Sequence, residues 1–176
     1  MTMLPNFQNK LNLIKEQVFD PCGLTITTFQ PNTESKEYGA CSFLLNEMII
    51  EFRVSKITPA KTGQFVTLWK RNGNGMTEPF HGTDSFDFVI IAVRQEHRFG
   101  LFVFPKNVLI TMGIVSHKNK NGKRGFRVYP PWDKASNKQA QQTQKWQVNH
   151  FLSIENNNPD TSELIRRFLQ TENQLR

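Results

Sequence analysis

Residues 86–93 read Phe-Asp-Phe-Val-Ile-Ile-Ala-Val, and all but Asp87 are apolar. So short a run has no polar stripe to turn toward water, which predicts a central β-strand covered on both faces. Such a strand demands a layer of structure on each side of its sheet. The chain of 176 residues supplies them from 15 Phe and a 38% hydrophobic content without disulfides or a structural metal. The class expected is therefore α+β, one domain over residues 1–176, with an N-terminal helix in 1–22 and a C-terminal helical segment in 153–176 as appendages to the core.

The remaining elements follow from periodicity and breakers. Leu11, Leu13, Ile14, Val18 and Phe19 predict a first helix over residues 8–19, ended by Pro21-Cys22-Gly23. Residues 30–36 read as a polar loop. Residues 40–45 and 48–56 predict a hairpin about Asn46-Glu47, and residues 58–63 a turn containing Pro59 and Gly63. Residues 64–71 read as one strand and 72–82 as a loop with three glycines. After a polar connector (94–98), residues 99–104 predict a strand. Pro105 then opens a short helix ending at Gly113, and residues 114–116 suggest a short strand. Residues 117–125 form a flexible basic loop, 126–129 a strand, 137–152 a Gln-rich helix and 163–169 a last helix. The order is roughly α-β-β-β-β-β-α-β-α-α.

Charge is unevenly placed. The formal net charge is +7, yet residues 1–93 hold 8 Lys/Arg against 9 Asp/Glu, while residues 97–145 hold 10 Lys/Arg and only Asp133. That asymmetry points to a polyanion-facing surface. Cys22 and Cys41 have no CxxC partner, which suits free thiols in a reducing compartment, one adventitious disulfide being the alternative. No run approaches the ~20 apolar residues of a membrane span, and the start lacks a signal-type stretch, so a cytoplasmic protein without a membrane partner is expected.

Two segments join charge to aromatics. Residues 53–71 carry Arg53, Lys56, Lys61, Lys70 and Arg71 with no acid, and Trp69 adjoins the last two. A strand–turn–strand can bring Lys56 and Lys61 together at its tip, and an indole offers a base a stacking surface. Residues 118–146 add Lys118, Lys120, Lys123, Arg124, Arg127, Lys134, Lys138 and Lys145 with Tyr129, Trp132 and Trp146. Arg127 and Tyr129 would share one strand face, opposite Phe126 and Val128. The amides of residues 141–147 add groups able to bond phosphates or bases. This pattern predicts a nucleic-acid-binding protein whose affinity falls steeply with salt. Candidate contacts are Arg53, Lys56, Lys61, Trp69, Lys70, Arg71, Lys123, Arg124, Arg127, Tyr129, Trp132 and Lys145.

A third set is acidic: Glu34, Glu37, Glu51, Asp84 and Asp87. Metal-dependent phosphodiester cleavage needs carboxylates converging on a divalent ion with a lysine nearby. Glu37, Glu51 and Asp87 with Lys70 are the candidates, Mg²⁺ or Mn²⁺ being the ion this alternative would require; the nucleic-acid-binding reading needs no cofactor. Lys70 or a metal would partner Asp87, whose other reading is a buried ion pair or strand-end cap. The 4 His have no zinc-ligand spacing, and nucleotide-binding and hydrolase motifs are missing.

Several stretches together resemble the MepB family. They are Glu37-Tyr38-Gly39-Ala40, Phe52 through Pro59, Lys61 through Val66, Trp69-Lys70-Arg71, Phe86-Asp87-Phe88, Phe99 through Lys106, Arg124 through Trp132, and Thr143 through Gln147. They span residues 34–151. The resemblance implies a bacterial protein with a restriction-endonuclease-like core, a central mixed sheet flanked by helices. Nucleases of that superfamily carry an acid and then a (D/E)-x-K triplet on neighbouring strands. Here the triplet strand would read Leu68-Trp69-Lys70, with leucine in place of the acid. Glu37 would stand for the helical acid, and Glu51 or Asp87 for a migrated carboxylate. A core that keeps its grip on nucleic acid without the metal site fits this pattern, with single-stranded or non-sequence-specific DNA expected ahead of RNA. Small phosphorylated ligands or an acidic protein are a third class of partner.

Overall fold

The computed structural model describes residues 6–154. Among these, eleven strands run in chain order: β1 (Ile26–Pro31), β2 (Cys41–Leu45), β3 (Met48–Val54), β4 (Lys56–Ile57), β5 (Gln64–Thr67), β6 (Trp69–Arg71), β7 (Thr77–Pro79), β8 (Phe88–Gln95), β9 (Arg98–Pro105), β10 (Gly125–Val128) and β11 (Phe151–Ser153). The helices are α1 (Asn6–Ile14), α2 (Lys106–Thr111) and α3 (Lys138–Gln147). The main sheet has the order β1-β2-β3-β8-β9-β11. Its β3–β8 pair is parallel, from Ile50 opposite Phe88 to Val54 opposite Ala92, and its other pairs are antiparallel. The sheet is therefore mixed and the class α+β, as expected.

The apolar run takes the central position. β8 lies between β3 and β9, and every residue from Phe88 to Val93 is buried. Strand alternation divides the core into two layers. Phe88, Ile90 and Ala92 join Ile50, Phe52, Leu101 and Val103 beneath Leu11, Ile14, Val18 and Phe19 of the N-terminal segment. Val89, Ile91 and Val93 join Phe102, Phe104, Leu109, Phe126 and Val128 on the opposite face. That second face is roofed by a three-stranded sheet of order β10-β5-β4, with α2 and α3 beside it. Glu51 and Arg53 alternate with Ile50, Phe52 and Val54 along β3, so their side chains project from this second face.

Several expectations are corrected. Residues 30–36 are not all loop, because β1 continues through Pro31. Its residues past Ile26 are exposed, and a register shift between Thr27 and Gln30 breaks the alternation by which strands are recognised. Residues 64–71 form two strands in two sheets, with buried Leu68 between them, and the glycine loop contains β7, which pairs with β6. Of residues 114–116, only Ser116 makes a bridge, to His81. The Gln-rich helix stops at Gln147. Residues 148–150 are a 3₁₀ turn, and Phe151–Ser153 pairs with β9. Gly100 permits that pairing: a Cβ there would lie 2.2 Å from the Phe151 ring. Burying Phe151 and Leu152 against β9 prevails over helix continuation. The helix expected at 163–169 lies outside the described residues.

Both cysteines are buried, and no disulfide joins them. Burial pushes the Cys41 thiol up to about 12, Arg53 drawing it down and Glu51 adding to the rise. An unfolded thiol titrates near ~8.5. Its contribution to stability is therefore intact below about pH 8.5 and is lost as pH rises toward 12, at about 1.4 kcal/mol per pH unit. Urea unfolding at neutral pH and in this alkaline window should show the loss, and Cys41→Ala should remove that share of the slope. An identical alkaline slope in the variant would contradict it.

Candidate functional site

The small sheet presents one row outward. Lys56 of β4 and Arg127 of β10 both pair in register with Phe65 of β5, so a half-buried aromatic lies between two cations. Their neighbours Val66, Phe126 and Val128 point inward and are buried. Tyr38 meets the Phe65 ring edge-on at 6.2 Å, and Lys56 Nζ stands 4.7 Å from the Tyr38 ring centre. The Arg127 guanidinium donates to the carbonyls of Thr62 and Gly63, each at 3.2 Å, and to the Thr58 hydroxyl. It thereby fastens the turn that carries Lys61. Gly63 has φ 80°, and a Cβ there would sit 2.7 Å from the Tyr129 ring, so glycine is required twice over.

Lys123 and Arg124 lead into β10, where Arg124 donates to the Thr77 carbonyl at 2.9 Å. Among the described residues, none of Lys56, Lys61, Lys123, Arg124 or Arg127 is in an ion pair. Among the described residues this face holds cations without an ion-paired acid around aromatic rings, with the Asp133 carboxylate hydrogen-bonded to the Gly63 backbone of the turn.

The alternation of β5 runs on past its end. Phe65, Thr67 and Trp69 are half-exposed and Arg71 exposed, while Gln64, Val66 and Leu68 are buried. At the Trp69 end opens a cavity of about 490 Å³, walled by Thr33, Glu34, Trp69 and Phe80 and floored by Glu51 and Arg53. Arg53 is 1% exposed. Its Nη1 donates to Glu51 Oε2 at 3.2 Å and to the Phe52 carbonyl at 2.8 Å, while its Nε has no partner among the described residues. Burial pulls the Arg53 guanidinium down, and Glu51 opposes this by charge and hydrogen bond. Glu51 also accepts from Ser42 Oγ at 2.8 Å and Asn32 Nδ2 at 3.3 Å.

The other cations of the cavity are matched too. Lys70 Nζ lies 2.6 Å from Asp84 and 3.5 Å from Glu78, and Arg71 pairs with Glu34. Burial draws Lys70 down, but Asp84 and then Glu78 outweigh it and leave the ammonium raised. The segment of residues 53–71, free of acid in sequence, thus meets acids from elsewhere at three of its five cations. Among the described residues Lys56 and Lys61 stay unpaired.

Other expectations separate in the same way. Trp132 donates through Nε1 to Gln95 at 2.9 Å and meets the Phe151 ring edge-on at 5.6 Å, so it is held in packing. Lys145 is exposed on α3. The helix amides are used internally: Gln144 donates to the carbonyls of Pro130 and Asp133, and buried Gln147 bridges Tyr129 and Arg127. Sequence reasoning passed over Tyr38 and Phe65. The alternation of Phe65 with Thr67 and Trp69 was the available signal for the second; nothing local marked Tyr38.

The four nuclease candidates do not converge. Glu51 and Lys70 line the cavity. Glu37 is exposed on a 3₁₀ turn (Lys36–Tyr38). Asp87 Oδ2 accepts from the Ile49 amide at 2.8 Å, capping the start of β8, and the carboxylate nearest Lys70 is Asp84. Among the described residues no three His, Cys, Asp or Glu are grouped to hold a metal. Glu51 and Glu34 are each committed to an arginine, so this donor set does not suit Mg²⁺ or Mn²⁺.

Among the described residues no helix is long and apolar enough to cross a membrane. The family model described as MepB-like matches residues 32–153. The crystal structure of MepB superposes with a TM-score of 0.74 at 32% identity, over 87% of this chain and 99% of that one. A bacterial homing endonuclease gives a TM-score of 0.43 at 14% identity, over 82% of this chain and 93% of its own. No curated protein matches.

Proposed function

The chain belongs to the MepB-like family, and on that premise we propose that it binds nucleic acid, holding a single strand along the outer face of β4, β5 and β10. The observation that carries this reading is the row Lys56–Phe65–Arg127, an aromatic ring between two cations, with Lys61, Lys123 and Arg124 nearby and, among the described residues, no acid paired to any of the five. A ring within a cationic strip serves bases and phosphates at once: bases stack on Phe65 while Lys56 and Lys123 approach the backbone. Stacking needs bases free of a duplex. Three strands at ~4.8 Å spacing make a face about as wide as one nucleotide chain. The row's one paired-donor group, the Arg127 guanidinium, is already engaged by Thr58, Thr62 and Gly63, so sequence-tolerant binding follows.

Fluorescence anisotropy with labelled 20-nucleotide DNA, RNA and duplex DNA tests this. Binding of single strands should exceed that of duplex by about tenfold and weaken linearly on a log–log salt plot. The DNA and RNA arms show which strand is preferred. Absence of single-strand binding at low salt overturns the reading.

A further inference from the structure

We propose that the cavity at the Trp69 end of the small-sheet row is a nucleobase pocket, taking one unpaired base from a strand end or from a free mononucleotide. The inference deepens the single-strand reading, because Phe65, Thr67 and Trp69 share one side of a continuous stretch of chain and lead from the platform to the cavity. At ~3.3 Å per residue, successive outward positions are ~6.6 Å apart.

Charge selects the ligand class. Arg53, Lys70 and Arg71 already face Glu51, Asp84 with Glu78, and Glu34. A phosphate dianion would have to compete with a carboxylate at each cation. A base is neutral and planar and needs no such exchange. It requires an aromatic surface and a polar edge to read, the combination by which flipped bases are held. Trp69 and Phe80 are both half-exposed on the wall and supply the first. Glu34 and Glu51 supply the second through the acceptor positions that their present hydrogen bonds leave open.

Arg53 is an independent sign. It is 1% exposed, lines the cavity, and retains a buried Nε–H with no acceptor among the described residues. Buried donors are rarely left so; this one is sealed from solvent, and a ligand acceptor would reach it only with a shift of the Arg53 side chain. The volume of about 490 Å³ lies within the ordinary range for small-ligand sites.

The test uses the full chain and its three tryptophan indole N–H signals, Trp69 being assigned through Trp69→Phe. The probes are the four common nucleoside 5′-monophosphates, ribose 5-phosphate and inorganic phosphate. At least one monophosphate should move the Trp69 signal saturably, while ribose 5-phosphate and inorganic phosphate leave it in place. Thr33→Phe, at an exposed wall position, should cut that affinity about tenfold or more. Phe80→Leu, which removes one aromatic face, gives a second variant with the same expected direction. No response to any monophosphate, an equal response to inorganic phosphate, or unchanged affinity in both folded variants overturns the proposal. The platform is judged separately: Lys56→Ala with Lys61→Ala and Lys123→Ala should weaken oligonucleotide binding and leave mononucleotide binding intact. Mononucleotide binding without oligonucleotide binding would keep the pocket and remove the platform.

Discussion

Glu51→Ala is expected to destabilise the protein by about 3–5 kcal/mol, the range for leaving one member of a buried ion pair alone. The Glu51 carboxylate is the convergence point for Ser42, Asn32 and Arg53. Without it the Arg53 guanidinium stays charged and buried, with the Phe52 carbonyl as its remaining bonded acceptor. A domain of this size is stable by only about 5–15 kcal/mol, so the loss is a large fraction of the whole. Arg53→Met combined with Glu51→Leu should be far milder than Glu51→Ala alone, because no uncompensated charge remains. Urea unfolding of the three proteins separates the cases. A loss under about 1 kcal/mol for Glu51→Ala would mean that Arg53 is not the buried, dependent charge described here.

The second large effect concerns binding. Replacing Lys56, Lys61 and Lys123 together by alanine should lower single-strand affinity on the order of a hundredfold at low salt. The slope of log affinity against log salt should fall by about 2, at ~0.7 per phosphate contact on a single strand. All three side chains are exposed and none is in an ion pair among the described residues, so thermal stability should hardly change. The loss should be alike for unrelated sequences, since a lysine near a phosphate reads no base. An unchanged salt slope would move the interface off the small sheet.

The contrast between these two sets of residues explains what the sequence disclosed. The central strand was legible because burial on both faces leaves an uninterrupted apolar run at Phe88–Val93. The hairpin about Asn46 was legible because the turn takes a positive φ, 53°, that asparagine tolerates. β1 was not, since a bulged, exposed edge strand carries no alternation. β11 was not either, because what ends α3 is the distant partner Gly100–Phe102 rather than any local breaker.

The site divides along the same line. Positive charge near Lys56, Lys123 and Arg127 is a property of composition and survives folding as surface. Which cations keep their charge unopposed is a property of the fold. Glu34 and Asp84 reach Arg71 and Lys70 only when distant parts of the chain meet, whereas Glu51 and Arg53 lie two residues apart on β3. Folding buries that local pair and leaves Glu37 and Asp87 elsewhere.

The most direct test of the platform is a residue-resolved footprint: amide chemical-shift mapping of the full chain titrated with a short single-stranded oligonucleotide. The account predicts that the largest changes fall on residues 56–69 and 123–129 and on Tyr38, with the outer face of α3 and the exposed edge strand β1 unmoved. Changes centred on α3 or β1, with the Lys56–Phe65–Arg127 row silent, would contradict it.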